Sequence, residues 1–391
     1  MILTRTAATF APPVMEARRW LEGVQFPADR PLINVSQAAP VDLPPLALRE
    51  ALADAAINLP QAHLYGPVLG NHDLRAEVAS RTARLYAGDV TPAQLAITSG
   101  CNQAFNAAIV TLTTEGDEVI LPTPWYFNHK MWLDMVGVRA VPLPTGTDML
   151  PDPAAAAALI GPRTRAITLV SPNNPAGVEY PAALLQAFAD LARRHGIALI
   201  VDETYRDFHS GTGPAHDLFS DPDWDDTLIQ LYSFSKAYRL TGHRVDAMLA
   251  SPARLAEVEK FLDTITICPN QLGQIGALWG MQNLDQWLAG ERDEILSRRA
   301  AIEAGFAPLQ AKGWALRGAG AYFAYMAHPF DESAHDLAQR MVRDAGILAL
   351  PGSMFMPADD PAGARHLRIA FANIDRDGIT ALFDRLGALT A

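Results

Sequence analysis

Seven short apolar runs punctuate the first two-thirds of the chain: LAITS (95–99), EVILPTP (118–124), RAVPLP (139–144), AITLVSP (166–172), IALIVDE (197–203), TLIQLYSFS (227–235) and AMLAS (247–251). They are rich in Val, Ile and Leu and show little alternation, the pattern of strands buried on both faces. Between them lie stretches such as NQAFNAAIVTLTT and YPAALLQAFADLARRHG, whose apolar residues recur at helical spacing. Strands alternating with helices predict an α/β fold: a large domain with a mainly parallel seven-stranded sheet flanked by helices.

From Gly273 to Gly313 the pattern turns long-helical, and the short runs GAYFAYMA (320–327) and HLRIAFA (366–372) follow it with helical patterns between. This predicts a second, smaller α+β domain. We expect residues 41–285 to form the large domain and 286–391 the small one. The Pro-containing segment 1–40 should join the small domain. There are no internal repeats and no low-complexity linker.

Apolar residues make up 49% and charged residues 19% of the 391, an ordinary globular balance. A net charge of −12 without a basic cluster argues against nucleic-acid or anionic-membrane partners. Two cysteines, Cys101 and Cys268, give neither a disulfide framework nor metal-ligand spacing, so no metal is expected. Pro12 and Pro13 interrupt the N-terminal stretch before it reaches a signal-peptide core, and no run is long enough for a membrane span. The expected location is a reducing cytoplasm.

Ligands of open α/β sheets bind beyond the carboxyl ends of the strands, so the residues after each apolar run are the candidates. LAIT leads into SGCNQAF. There Ser99 and Gly100 let the backbone approach a ligand, and the N–H groups of Cys101 and Asn102 open a helix toward an anion. A plain polar helix cap is the alternative. EVIL leads into PTPWYF, where Trp125 and Tyr126 either cover a flat ligand or pack inward. AITLV leads into SPNNPAG, whose Asn174 precedes a proline in a turn open to a cis peptide. IALIV leads into DETY. Asp202 is there a carboxylate on a buried strand end that needs a partner, with the Tyr205 phenol three residues on. A salt bridge or a helix cap would also account for it.

TLIQLY leads into SFSK. Lys236 is one of only four lysines, the others being Lys130, Lys260 and Lys312. In a pocket of low polarity it can serve as nucleophile or base, unless a carboxylate pairs with it. Arg244, eight residues on, offers a planar fork suited to phosphate. Together these features describe a flat ligand that is anionic at one end. It carries a ring hydroxyl, a basic ring nitrogen and a carbonyl that accepts an amine. The expected ligand of this description is pyridoxal phosphate.

At these positions the chain resembles the fold-type-I, pyridoxal-phosphate-dependent class I/II aminotransferases. YGPVLGNHDLR (65–75), SPNNPAG (171–177), DETY (202–205), SFSKAYRLTGHR (233–244) and LRIAFA (367–372) occur in the family's order over nearly the whole chain. The resemblance implies that Lys236 joins the cofactor through a Schiff base and then moves a proton from the substrate's Cα. Asp202 is implied to pair with the pyridine nitrogen, Tyr205 and Asn174 to bind the ring oxygen, and Tyr126 to stack on the ring. Gly100, Cys101, Asn102, Ser233 and Arg244 would hold the phosphate, and Tyr65 would reach the phosphate of a neighbouring subunit, which implies a homodimer. Arg368 would clamp the substrate carboxylate, beside Asn174 and Ala39.

The chain departs from the family pattern at three places. Asp246 stands where a Gly is usual, Ala176 replaces a Thr, and VSQAAP (35–40) lacks a Gly, which leaves Ala38 or Ala39 to narrow the site. Trp125, Tyr126, Tyr322, Met354 and Phe355 form the expected lining and would suit an apolar or aromatic substrate. His72 and His129 read as surface or loop histidines, the alternative being that they face the site.

The expected activity is transfer of an amino group from an α-amino acid to a 2-oxo acid. A β-eliminating C–S lyase is the alternative enzyme. A non-catalytic regulator would need a DNA-binding domain, and the family pattern starts too early to leave room for one. The late GAGAYF (318–323) opens no strand–turn–helix unit, so a dinucleotide site is not expected.

Overall fold

All seven apolar runs become strands of one sheet in the computed structural model, which describes residues 4–390. The strands are β1 (Leu95–Thr98), β2 (Glu118–Thr123), β3 (Arg139–Pro144), β4 (Thr164–Val170), β5 (Ala198–Asp202), β6 (Leu228–Ser233) and β7 (Asp246–Leu249). Their spatial order is β1-β7-β6-β5-β4-β2-β3. Only β7 runs against the others, antiparallel to both β6 and β1.

Both faces of the sheet are buried because helices cover each side. Leu199 and Val201 of β5 point into one core with Leu185, Phe188 and Leu191 of the helix Ala182–His195. Ala198 and Ile200 point into the other, with Ala104, Phe105 and Ala108 of the helix Cys101–Leu112. Alternation along a strand thus separates two apolar sets rather than an apolar and a polar one. Strand β3 differs from its expected burial. Lying at the sheet edge, it alternates buried Val141 and Leu143 with exposed Arg139, Pro142 and Pro144.

A second, antiparallel sheet of order β10-β11-β9-β8 contains β8 (Ala315–Gly320), β9 (Phe323–Ala327), β10 (Leu350–Pro351) and β11 (His366–Ile369). Strand β8 was not expected, since four of its six residues are Gly or Ala of low strand propensity. The helices Asp285–Gly305 and Arg376–Ala388 supply Ile295, Ile302, Leu382 and Leu386 to a core shared with Phe323 and Leu367. Near the N-terminus, Ile33–Asn34 pairs in parallel with Ile347–Leu348, and Ala370 N–H donates to Val35 O at 2.8 Å. These contacts lay residues 35–39 against the end of β11.

The glycines of GAGAYF serve the junction of the two sheets. A Cβ on Gly318 would lie 2.4 Å from Ala176 O, one on Gly320 2.3 Å from Gly177 O, and one on Gly177 2.5 Å from Phe323 O. The Asn173–Gly177 turn and the β8–β9 hairpin therefore meet backbone to backbone, where neither wall has a flexible side chain to yield. We expect Gly320→Ala to lower stability by about 1–3 kcal/mol, the usual cost of overpacking. Urea unfolding checks this, and a midpoint equal to that of the wild type would contradict it.

Candidate active site

The carboxyl edge of the large sheet, residues 37–39 and β11 enclose a cavity of about 530 Å³. Ala39, Cys101, Asn102, Tyr126, Asn174, Asp202, Tyr205, Ser233, Lys236, Arg244 and Arg368 all line it. Gly100 lies immediately behind, with φ +97°, and a Cβ there would sit 1.9 Å from Arg244 Nη2. Only glycine permits both that backbone and that approach.

Lys236 sits in the short helix Phe234–Ala237 that follows β6, and its Nζ donates to Ala38 O at 2.7 Å. Among the described residues no carboxylate pairs with it. Burial pulls the ammonium down to about 8, Arg244 and Arg368 add to the pull, and Asp246 opposes it. Asp202 closes β5 and is buried. Its Oδ1 accepts from Thr204 Oγ1 at 2.7 Å and Thr204 N at 3.0 Å, and its Oδ2 lies 3.4 Å from His129 Nε2.

His129 is therefore not a surface histidine, as the sequence suggested. It is buried, with its ring stacked on Phe105 at 3.9 Å. It lies on the helix Phe127–Val136, two residues beyond an aromatic helix start. Only helical spacing from Tyr126 would have turned it inward. His72 is exposed, at the start of the helix His72–Tyr86.

Arg368 is carried inward by β11 and is 2% exposed. Its Nη1 donates to Asn174 Oδ1 at 2.9 Å and its Nη2 to Ser36 O, while Nε has no partner. The rings of Phe323 and Phe355, each at 4.9 Å, and Phe127 at 5.9 Å surround the guanidinium. Burial lowers its pKa to about 10, against the opposing pull of Tyr205 and Tyr126. No carboxylate within 4.0 Å neutralises it among the described residues. Tyr205 lies beside it in the cavity wall, held by Tyr322 and Phe323, and burial pushes its phenol well up.

One end of the cavity is shared by three elements. Cys101 N–H comes from a helix start, Ser233 from the end of β6 and Arg244 from the turn Thr241–His243. Arg244 is exposed and donates through Nη1 to Thr241 O at 2.9 Å. Into the middle of these donors β7 places Asp246. Its Oδ2 accepts from Cys101 N at 2.6 Å and its Oδ1 from Ser233 Oγ at 2.8 Å and Phe234 N at 2.9 Å.

Several expected lining residues lie elsewhere. Trp125 is packed in the core below the cavity, and Tyr322 lies behind Tyr205. Met354 and Phe355 are buried in a cluster with Phe127 and Met131. Of the proposed aromatic lining only Tyr126 remains, because a strand end turns successive side chains to opposite sides. Phe127, Thr204, Gln37 and the Ala38 carbonyl take the places left. Tyr126 makes a T-shaped contact with His129 at 5.0 Å, and its phenol, pushed up to about 12 by burial and Asp202, accepts from Asn128 Nδ2. Tyr65 lies outside the cavity of its own chain, 80% exposed beside Leu64 and Gln271.

The chain is similar to known proteins over most of its length. A probable aspartate/prephenate aminotransferase of Thermus aquaticus is 28% identical over 79% of each chain. An aromatic aminotransferase of Arabidopsis thaliana is 26% identical over 99% of this chain and 95% of that one. The solved N-succinyldiaminopimelate aminotransferase of Mycobacterium tuberculosis superposes with a TM-score of 0.88 over 100% of both chains, at 24% identity. The sequence profile described as Aminotransferase class I and II matches residues 30–386, and the chain belongs to that family.

Proposed function

We propose that the protein is a pyridoxal-phosphate-dependent aminotransferase, working as a homodimer, that moves the amino group of an α-amino acid to a 2-oxo acid. One observation carries the reading. A single cavity holds both an amine pulled toward neutrality, Lys236, and a buried guanidinium with no anion of its own, Arg368. An amine poised to meet a carbonyl, beside a cation lacking a carboxylate, suits an amino acid reacting at its Cα.

The residues at the ring end fit the cofactor. Asp202 would face the ring nitrogen and hold its proton, while Thr204 and His129 fix the carboxylate's orientation. Asn174 turns its oxygen to Arg368, which leaves its Nδ2 to donate to the ring oxygen with Tyr205. Tyr126 flanks the ring's place. Gly100, Cys101, Asn102, Ser233 and Arg244 supply the donors for the phosphate, although Asp246 now occupies several of them. When bound, the cofactor supplies a sink for the electron pair left at the substrate's Cα. Lys236 would hold the cofactor through its amine and, once freed from it, would serve as the base for the substrate's Cα proton. Arg368 receives the α-carboxylate through two parallel hydrogen bonds, with Asn174 and Ala39 at its side.

This reading divides the chain into a large unit, 41–285, and a small unit, 286–391 with 1–40. The small unit then contributes Arg368. The dimer rests on exposed apolar side chains at Val41, Leu43, Leu46, Ile57, Leu64 and Ile267, a surface that suits a second copy. Tyr65 lies within it and would serve the neighbour's phosphate. Two free cysteines accord with a reducing cytoplasm, and no helix among the described residues is long and apolar enough to cross a membrane. The relatives' names favour transamination over β-elimination.

With pyridoxal phosphate, one amino acid and one 2-oxo acid, the purified protein should form the new amino acid. Lys236→Ala should lose at least about a thousandfold in rate. Ammonia released without an acceptor would select the lyase instead. Arg368→Ala should raise KM for the amino acid about a hundredfold or more, about 3 kcal/mol, and leave cofactor affinity within a fewfold. Equal loss of both would count against the clamp. In the cofactor-free protein, reductive trapping of a small aldehyde at Lys236 should rise through pH 8 and level off above it, because only the neutral amine adds to a carbonyl. Peptide mapping across pH checks this, with the surface lysines Lys260 and Lys312 as internal references.

A further inference from the structure

Strand β7 begins at the carboxyl edge of the sheet because it runs antiparallel, so its first residue, Asp246, faces Ser233 of β6 and Thr98 of β1. Its carboxylate takes Cys101 N, Ser233 Oγ and Phe234 N, with Ser235 N and Oγ more distant at 3.4 Å each. These are donors from a helix start and a strand end, arranged for an anion. Arg244, the one guanidinium beside them, stays exposed and forms no ion pair within 4.0 Å of a carboxylate among the described residues. Asp246 thus does not orient Arg244 through a salt bridge. It fills the neutral donors and leaves the cation unclaimed.

We propose that Asp246 is a built-in competitor for the anionic end of the cofactor. The cradle holds either the charged Asp246 carboxylate or a phosphate dianion, and a proton from solvent settles on Asp246 when phosphate enters. The inference rests on the cofactor reading above. Two like charges cannot share one desolvated set of donors without one of them being neutralised. Asp246 is the group to yield, since burial already raises its pKa against the pull of Ser233, Cys101 N–H and Arg244. Once protonated it donates to a phosphate oxygen instead of repelling it. The other titratable groups around the cradle are the Cys101 thiol, the Lys236 amine and, beyond Cys101, Asp202. None of them accepts the same donors as Asp246.

The test is calorimetric titration of the cofactor-free protein with pyridoxal phosphate and with unphosphorylated pyridoxal, from pH 6 to 9, in two buffers of different ionisation enthalpy. Wild type should take up close to one proton more than Asp246→Asn on binding pyridoxal phosphate. Its affinity should fall up to about tenfold per pH unit relative to that variant where Asp246 ionises. Asp246→Gly should bind pyridoxal phosphate at least about tenfold tighter than wild type at pH 8. With pyridoxal, wild type and Asp246→Asn should match, and the comparisons of these two proteins stand even if the glycine variant folds poorly. Equal affinity and equal proton uptake in all three proteins would overturn the inference and leave the cofactor reading intact. Binding of pyridoxal phosphate by none of them would overturn both, and binding by Asp246→Gly alone would overturn the proton uptake and the cofactor reading of the natural chain.

Discussion

A buried guanidinium without an anion is costly, because desolvation is not repaid by a partner charge. Arg368 meets that cost with two oxygens, those of Asn174 and Ser36, and with three phenyl faces. Each of these partners comes from a different part of the chain. Asn174 lies in the turn after β4, Ser36 in the segment that crosses the end of β11, and Phe127 at a helix start beyond β2. The cation therefore draws the two sheets and the N-terminal segment to one point, and among the described residues its Nε stays without a hydrogen-bond partner.

Lys236 depends on the same crowding. Its ammonium is disfavoured by burial and by the two arginines nearby, and among the described residues its Nζ finds only a neutral acceptor, Ala38 O. Had Asp202 turned toward the lysine, the pair would have stabilised the charged amine. Asp202 is instead held by Thr204 and faces His129. The separation of these two charged groups keeps one available as an amine and the other as an anion.

Much of this was legible in the sequence because parallel strands buried on both faces leave unbroken apolar runs, and the residues after such runs stand at the sheet's ligand edge. All seven strands of the large sheet, and the strand-end residues Asp202, Asn174 and Lys236, follow from that rule. The rule misleads where its premises lapse. Edge strand β3 alternates, and β8 is composed for close backbone approach rather than for strand propensity. Trp125 precedes the turn that directs Tyr126 to the cavity, and so it faces the core. His129 has no local signal beyond its helical spacing from Tyr126, since its contact is with Asp202, more than seventy residues away. Asp246 was noticed only as a departure from a family pattern. A search after strand ends passes over it, because the ligand-facing end of an antiparallel strand is its start.

The contact of Gly318 and Gly320 with the Ala176–Gly177 backbone has a further consequence. Side chains can rotate to accommodate a neighbour, but two main chains in contact have no such slack. Asn174 lies just before this seam, and β9, which follows the glycines, lies beside β11 and Arg368. The seam acts as a hard stop in an assembly. It limits how near the two sheets can stand, so the spacing between Arg368 and the Asn174 amide is gauged by glycines some fifty residues earlier in the chain.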